Sequence, residues 1–398
     1  MNGFATAWKS ALVFSACAVL MLLAGCGGGG PSDGTPGDPT KPLSEYNRMF
    51  NLFGDPHVHT NLSDGDESPD FAIRYARDTV GLDWCAMLDH VEYLVEDGAS
   101  IADYYRSLPK KYDEPGRFCV IFAYEWTSLR YGHRSVYSSD SSMPFFPCDR
   151  PESDTIEELW KVLEGYDVIT APHHPIMDST YSWTATSNPG VECAVEFYSK
   201  WGNSISPEED RQCPNVKSVN SVVNGLVNEG LRYGLIAGTD THMSRPASRL
   251  EECRQPGAID YAQPGITGVW ATAFTGAAIY NAIKNRHTYG MTGTRVSLKF
   301  SVNSHIMGSE ISSAVAPVIT FKVSSPIQVS RVIILKISNQ SINELKAYSP
   351  NALELQGSYT DTDFLEDSAY LLRVELANTD MALCTPVWVA YAGTNNPT

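Results

Sequence analysis

The chain has 398 residues, of which 43% are hydrophobic and 19% charged, and its formal net charge is −17. That length and balance suit two domains with a sizeable core and exclude a disordered polymer. The acidic total argues against nucleic acid as a partner, because such binders carry a basic face, and leaves room for a small anionic substrate held by metal ions.

Residues 1–26 read as a targeting segment. Lys9 is its only charge, Ala11 to Ala24 is an apolar run, and Leu23-Ala24-Gly25-Cys26 closes it. This is similar to a bacterial lipoprotein signal peptide, in which Cys26 is lipidated and becomes the mature N-terminus. The alternative, a transmembrane anchor, has too short an apolar run. Either way the expected location is the bacterial cell envelope, exported and anchored to the membrane through the N-terminus, periplasmic or on the cell surface. Residues 27–45 follow as a flexible linker of mostly Gly, Pro, Ser, Asp and Thr. The remaining cysteines are scattered without a C-x-x-C pair, which excludes a zinc ribbon. Cys85, Cys119 and Cys193 lie in apolar strand patterns and read as buried hydrophobes. Cys148, Cys213 and Cys253 lie in loops, with any disulfide pairing open.

From Tyr46 the pattern changes. Asn51-Leu-Phe53 leads as a first strand into Gly54-Asp-Pro-His-Val-His-Thr60. On a strand, residues i and i+2 face one side, so His57 and His59 point together, as a metal ion requires. Asp64 follows on a polar loop that can fold back over them. Ser68-Pro-Asp70 opens a helix that stops near Gly81. Apolar strands then end in Asp89-His90, near Glu125, in His173-His174-Pro175 and in Asp240-Thr-His242, with a further strand over 193–198. A short strand begins after Gly132-His133-Arg134. Helices are expected over 155–164, 222–232 and 276–286, and a strand over 266–273. Strands alternating with helices, with polar residues at the C-terminal strand ends, argue for a parallel α/β sheet or barrel with its site on that face. Residues 46–296 form this expected hydrolase domain. Residues 297–398 carry short β-branched runs and read as a small β-sandwich-like domain, including separate strands over 318–323 and 331–337.

Collected, the candidate ligands are His57, His59, Asp64, His90, Glu125, His133, His173 or His174, Asp240 and His242. The set resembles the PHP (polymerase and histidinol phosphatase) family, and more narrowly its exported branch. Matching motifs are Gly54–Thr60, Ser63–Gly65, Tyr124–Thr127, Gly132–Arg134, Pro172–His174, Gly238–His242 and Thr288–Gly293. The resemblance covers roughly residues 50–295. It implies a distorted (β/α)7 TIM-like barrel and up to three divalent metal ions, and imidazole and carboxylate ligands suit Zn, Mn or Fe. One ion would take His57, His59, Glu125 and Asp240. A second would share Glu125 and add His133 with His173 or His174. A third would take Asp64, His90 and His242. The implied activity is a metal-dependent phosphoesterase in which a metal-bridging hydroxide attacks a small phosphate ester in line, with no covalent intermediate. Arg134 and Arg245 are expected to hold phosphate oxygens, and Asp89 to orient a neighbouring ligand. Two other readings are an amidohydrolase-like enzyme cutting amides or esters, which wants a bridging lysine carbamate or an isolated late Asp, and a non-catalytic metal- or ligand-binding lipoprotein. The sequence leaves open the substrate, monoester against diester, the native metal and the oligomeric state.

Overall fold

Strand β1 (Phe50–Val58) and its neighbours build the floor on which the histidines stand. A computed structural model describes residues 42–96, 98–177, 181–183, 188–213, 216–248 and 264–393. Residues 1–41, with the expected signal peptide, Cys26 and most of the expected linker, lie outside the described residues, as does Cys253. After β1, helix α1 (Pro69–Arg74) is capped by Ser68, whose hydroxyl accepts from the Phe71 N–H at 3.2 Å. It continues as a π-helical turn to Val80 and is ended by Gly81 at φ +66°, as the sequence predicts. β2 (Trp84–Met87), α2 (Val91–Glu96), α3 (Ala99–Tyr112) and β3 (Cys119–Trp126) follow. Then come β4 (Arg134–Ser138), α4 (Ile156–Leu163), β5 (Val168–Pro172), β6 (Ala194–Ser199) and β7 (Gly202–Asn203). The next elements are α5 (Val222–Val227), β8 (Gly234–Ala237), β9 (Ile266–Ala271), α6 (Gly276–Lys284) and β10 (Thr288–Met291).

The chain is a mixed α/β protein, mostly sheet, and its ladders correct the expectation of a purely parallel arrangement. β1, β2 and β3 are parallel, but β4 runs antiparallel between β3 and β5, and β9 antiparallel to β1. The short connection 127–133 dictates the first reversal, since only antiparallel neighbours can be joined without a long crossover. β6 pairs with β7 and β8 in a separate sheet. No closed barrel is formed by continuous ladders among the described residues. Isolated parallel bridges, Thr170 to Glu192, His173 to Glu196 and Val58 to Thr241, span the two gaps. Pro56 explains one interruption: it has no N–H to give, and the β1–β2 register shifts between Asp55 and Val58.

The central strands are buried on both faces, which is why they read as unbroken apolar runs. Cys85, Met87, Val120, Phe122 and Tyr124 meet the helices on one face. Trp84, Ala86, Cys119, Ile121 and Ala123 fill the other, against Ile169, Ala194 and Ile236. Gly54 lies opposite Trp84, and a Cβ there would sit 2.1 Å from the indole. Gly54→Ala is therefore expected to destabilise the fold by about 1–3 kcal/mol through overpacking, read as a lower urea midpoint at unchanged slope. An unchanged midpoint would contradict this packing.

Nine further strands follow among the described residues: β11 (Ser297–Val302), β12 (His305–Ile306), β13 (Glu310–Ser313), β14 (Val318–Ser338), β15 (Ser341–Tyr348), β16 (Ala352–Thr360), β17 (Ser368–Leu376), β18 (Met381–Cys384) and β19 (Val387–Tyr391). The two strands expected over 318–323 and 331–337 are one 21-residue strand, β14. Ser324-Ser-Pro326 suggests a turn, but the strand absorbs the proline where its register with β16 shifts between Ser324 and Val329. β18 pairs with β10, so the C-terminal strands continue the sheet that holds β9 and β1. Phe197, Leu235 and Ala237 share one core with Phe300, Ile334 and Leu372. Among the described residues no helix is long and apolar enough to cross a membrane.

Candidate metal centre

The strand ends bring all the candidate ligands to one place. His57 and His59 project from the end of β1, fully buried, with their Nε2 atoms 3.1 Å apart. Glu125, at the end of β3, lies between the histidines. Its Oε1 meets His133 Nδ1 at 2.6 Å and His173 Nε2 at 3.1 Å. Its Oε2 lies 3.2 Å from His59, 3.4 Å from His90 and 3.5 Å from His57. Asp240 Oδ1 lies 3.1 Å from His59 Nε2 and 3.5 Å from His57 Nε2. The loop after β1 folds back as expected, so that Asp64 reaches His242 at 3.1 Å, His59 at 3.4 Å and His90 at 3.5 Å. Gly65 permits this fold, because a Cβ there would stand 2.7 Å from the His59 backbone.

These donors fit divalent ions. The donor atoms of His59, Asp64, His90 and His242 lie within 4.8 Å of one another, as do those of His57, His59 and Glu125, and those of His133, His173 and His174. His59 Nδ1, Glu125 Oε2, His173 Nδ1, His174 Nδ1 and Asp240 Oδ1 are buried without a hydrogen bond, which is costly unless a cation completes them. His173 and His174 meet edge to face with ring centroids 3.7 Å apart, and both face His133. Of the two, His173 touches Glu125. His174 and Asp240 hold φ of +35° and +54°, backbone that non-glycine residues rarely adopt. Asp64, His90, His133 and His242 are partly exposed and give the cluster its open side.

Asp89 grips the loop that carries the ligands: it accepts from the Thr60 N–H at 2.7 Å, the Ser63 hydroxyl at 2.6 Å and the Thr60 hydroxyl at 2.8 Å. Arg134 is elsewhere. Its guanidinium is fully buried, donates to Glu192 at 2.7 Å and stacks over Tyr181, so the expected phosphate contact is corrected to a structural ion pair. Arg245 lies 5.9 Å over the Phe71 ring, half-buried.

Sequence reasoning missed four neighbours. Glu196 on β6 accepts from His57 Nδ1 at 2.9 Å and forms a further possible ligand group with His57 and His173. The signal was present: it is the only acid inside the apolar run Cys193–Tyr198. Asp55 accepts from the Thr239 N–H at 3.0 Å and the Ala247 N–H at 3.0 Å, tying β1 to the loop that carries Asp240. Trp201 Nε1 donates to Asp240 Oδ2 at 2.6 Å. Lys200 contacts His242.

A family model described as "Protein of unknown function (DUF3604)" matches residues 82–196 and 247–316. That span includes His90, Glu125, His133, His173, His174 and Glu196. An uncharacterized protein of Chlamydia pneumoniae is 23% identical over 374 residues, 87% of this chain and 58% of its own length. One of Chlamydia trachomatis is 23% identical over 366 residues, 85% of this chain and 57% of its own. The chain thus spans less than three-fifths of these relatives. Among solved structures, a two-domain protein containing a predicted PHP-like metal-dependent phosphoesterase from Bacteroides vulgatus aligns at TM-score 0.46 and 14% identity. It covers 86% of this chain and 96% of its own. A lesion-specific endonuclease from Pyrococcus furiosus aligns at TM-score 0.36 and 14% identity, over 59% of this chain and 56% of its own.

Without cations, protons balance the carboxylates. Burial alone would lower His57, but Glu196 and Asp240 overcome it and raise it to about 10. Burial likewise opposes, and Asp240, Asp64 and Glu125 raise, His59. Burial would raise Glu125 and Asp240, but the surrounding histidines, joined by Lys200 at Asp240, hold both well below the usual carboxylate range. Burial pushes Glu196 up to about 7 against the pull of His57. On the other side, burial and His133 depress His174 to about 3. A raised folded pKa gives stability that is complete below the unfolded value and lost as pH rises through the folded one. The depressed His174 works the other way, its stability present above about pH 6.5 and lost toward pH 3. The chelated protein is therefore expected to lose Tm between roughly pH 6.5 and 10, where His57 sheds its proton, and added divalent metal to flatten that loss by replacing the proton. A chelated Tm that is flat or rising over this range would contradict the assignment.

Proposed function

We propose that this chain is a metal-dependent phosphoesterase acting on a small phosphorylated substrate. The observation that carries the reading is the convergence of His57, His59, Asp64, His90, Glu125, His133, His173, Asp240 and His242, from segments far apart in sequence, on one buried, partly open cluster. The bridges at Thr170, His173 and Val58 support a distorted (β/α)7 barrel, because they join β5 to β6 and β8 to β1 around the same centre. Divalent ions held there would lower the pKa of water and neutralise charge building on phosphoryl oxygens. The chain's own residues do the positioning. Glu125 joins His133 and His173 to His57, His59 and His90, Asp89 fixes the His59–Asp64 loop, and Trp201 and Asp55 fix the Asp240 loop. Arg245 carries no ion pair among the described residues and lies over Phe71, which supports assigning its guanidinium to a phosphate oxygen.

The amidohydrolase alternative wants a lysine between the ions, where Glu125 stands. Lys200 lies against His242 instead. Export and lipid anchoring through Cys26 belong to the same proposal, as does a small substrate in preference to nucleic acid, which the net charge of −17 supports.

A panel of chromogenic phosphate monoesters, phosphate diesters, amides and carboxylic esters, offered to the Mn- or Zn-loaded protein, tests the reading. Turnover of a phosphate ester that a chelator abolishes is expected. Turnover confined to amides or carboxylic esters would replace it.

A further inference from the structure

Lys200 stands just past β6, on the face of the sheet that bears the cluster, its N–H bonded to Thr239 O at 3.0 Å. The side chain is 6% exposed. No carboxylate pairs with it among the described residues. The ammonium lies 5.1 Å over the Trp201 ring and 2.5 Å from His242 Nδ1. The nearest negative charge is Asp240, which the ammonium helps to hold ionised without pairing with it directly, and an imidazole nitrogen is a weak partner for a buried ammonium.

That nitrogen is also claimed by a second partner. His242 Nδ1 lies 3.1 Å from the Asp240 carbonyl, while Nε2 faces Asp64 at 3.1 Å. If Nδ1 carries the proton and donates it to that carbonyl, Nε2 keeps a lone pair and can ligate. In that tautomer Nδ1 has nothing to offer an ammonium. His242 therefore serves either Lys200 or a metal ion. Once His242 and Asp240 both serve the ions, Lys200 is a cation at the wall of the centre whose two neighbours are committed elsewhere. Arg134 cannot substitute for it, because Glu192 already neutralises that guanidinium.

We propose that Lys200 binds a phosphoryl oxygen of the anionic substrate once His242 adopts its ligating tautomer. The inference rests on the phosphoesterase reading and adds a second cation for the anion, besides Arg245. Trp201 assists, because its indole is pinned by the bond to Asp240 and forms a fixed surface under the ammonium.

Calorimetric titration of inorganic phosphate into the Mn-loaded protein tests it, with elemental analysis of metal content beside it. Wild type is expected to bind phosphate. Lys200→Met is expected to weaken that binding by about tenfold or more, the worth of a charge-assisted hydrogen bond, with metal content unchanged. Lys200→Arg keeps the charge and is expected to bind phosphate better than Lys200→Met. Phosphate binding equal to wild type in Lys200→Met would overturn the role of Lys200 alone. Metal lost in step with phosphate in both variants would also overturn it, making Lys200 a support for His242. A metal-loaded wild type that neither binds phosphate nor turns over any phosphate ester would overturn the phosphoesterase reading as well.

Discussion

Glu125→Ala is expected to deplete the centre of metal and to lower phosphate-ester turnover by more than about 100-fold, beyond the 10–100-fold typical of changes outside the ligand sphere. The reason is geometric. One oxygen of this carboxylate touches His133 and His173, and the other faces His57, His59 and His90. No other side chain in the cluster reaches both groups of histidines so closely. Its removal leaves imidazoles facing one another with one negative charge fewer, and cations are bound less firmly. Glu125→Gln keeps the shape and removes only the charge, so it separates electrostatics from packing. Elemental analysis together with steady-state kinetics reads both effects. Full metal content in Glu125→Ala with turnover near wild type would contradict the assignment of Glu125 as the shared ligand.

The second large effect is one of stability. Arg134→Ala is expected to cost about 3–5 kcal/mol, because it removes the guanidinium paired with the buried Glu192 carboxylate. Tyr233 donates to Glu192 Oε2 at 2.9 Å, but a phenol does not neutralise a carboxylate. Replacing both partners, Arg134→Met with Glu192→Met, is expected to recover most of the loss, since no charge then remains to be desolvated. Urea melts of the two single variants and the double variant measure this. A phosphate-binding Arg134 would behave differently: KM would rise and the urea midpoint would stay.

The ligands were legible in the sequence because they fall in short local motifs at the ends of apolar strands. His57 and His59 share a strand face by period alone, and Asp89-His90 closes an apolar run. The caps of α1 were legible for the same reason, in Ser68-Pro69 and Gly81. What escaped depends on long-range contacts. Arg134 sits beside a candidate ligand in sequence, yet on β4 its side chain points away toward Glu192, and nothing local announces that partner. Glu196 and Lys200 become neighbours of the cluster only through the pairing of β6 with β8. Strands β15 and β16, each paired with β14, escaped because they are exposed on much of both faces, so Ser341–Tyr348 and Ala352–Thr360 carry little of the apolar alternation that marks a half-buried strand. The reversal at β4 was hidden as well, since an apolar strand buried on both faces reads alike in either direction.

The central claim is that these side chains hold divalent ions. Metal content of the purified protein after loading with Mn or Zn and removal of free ion, measured beside Asp240→Ala, tests it most directly. Asp240 approaches His57, His59 and His242, so its loss should weaken more than one ion at once. The account predicts more than one tightly held ion per chain in wild type and a clear deficit in the variant. Wild type without bound metal, or a variant that retains the full complement, would contradict it.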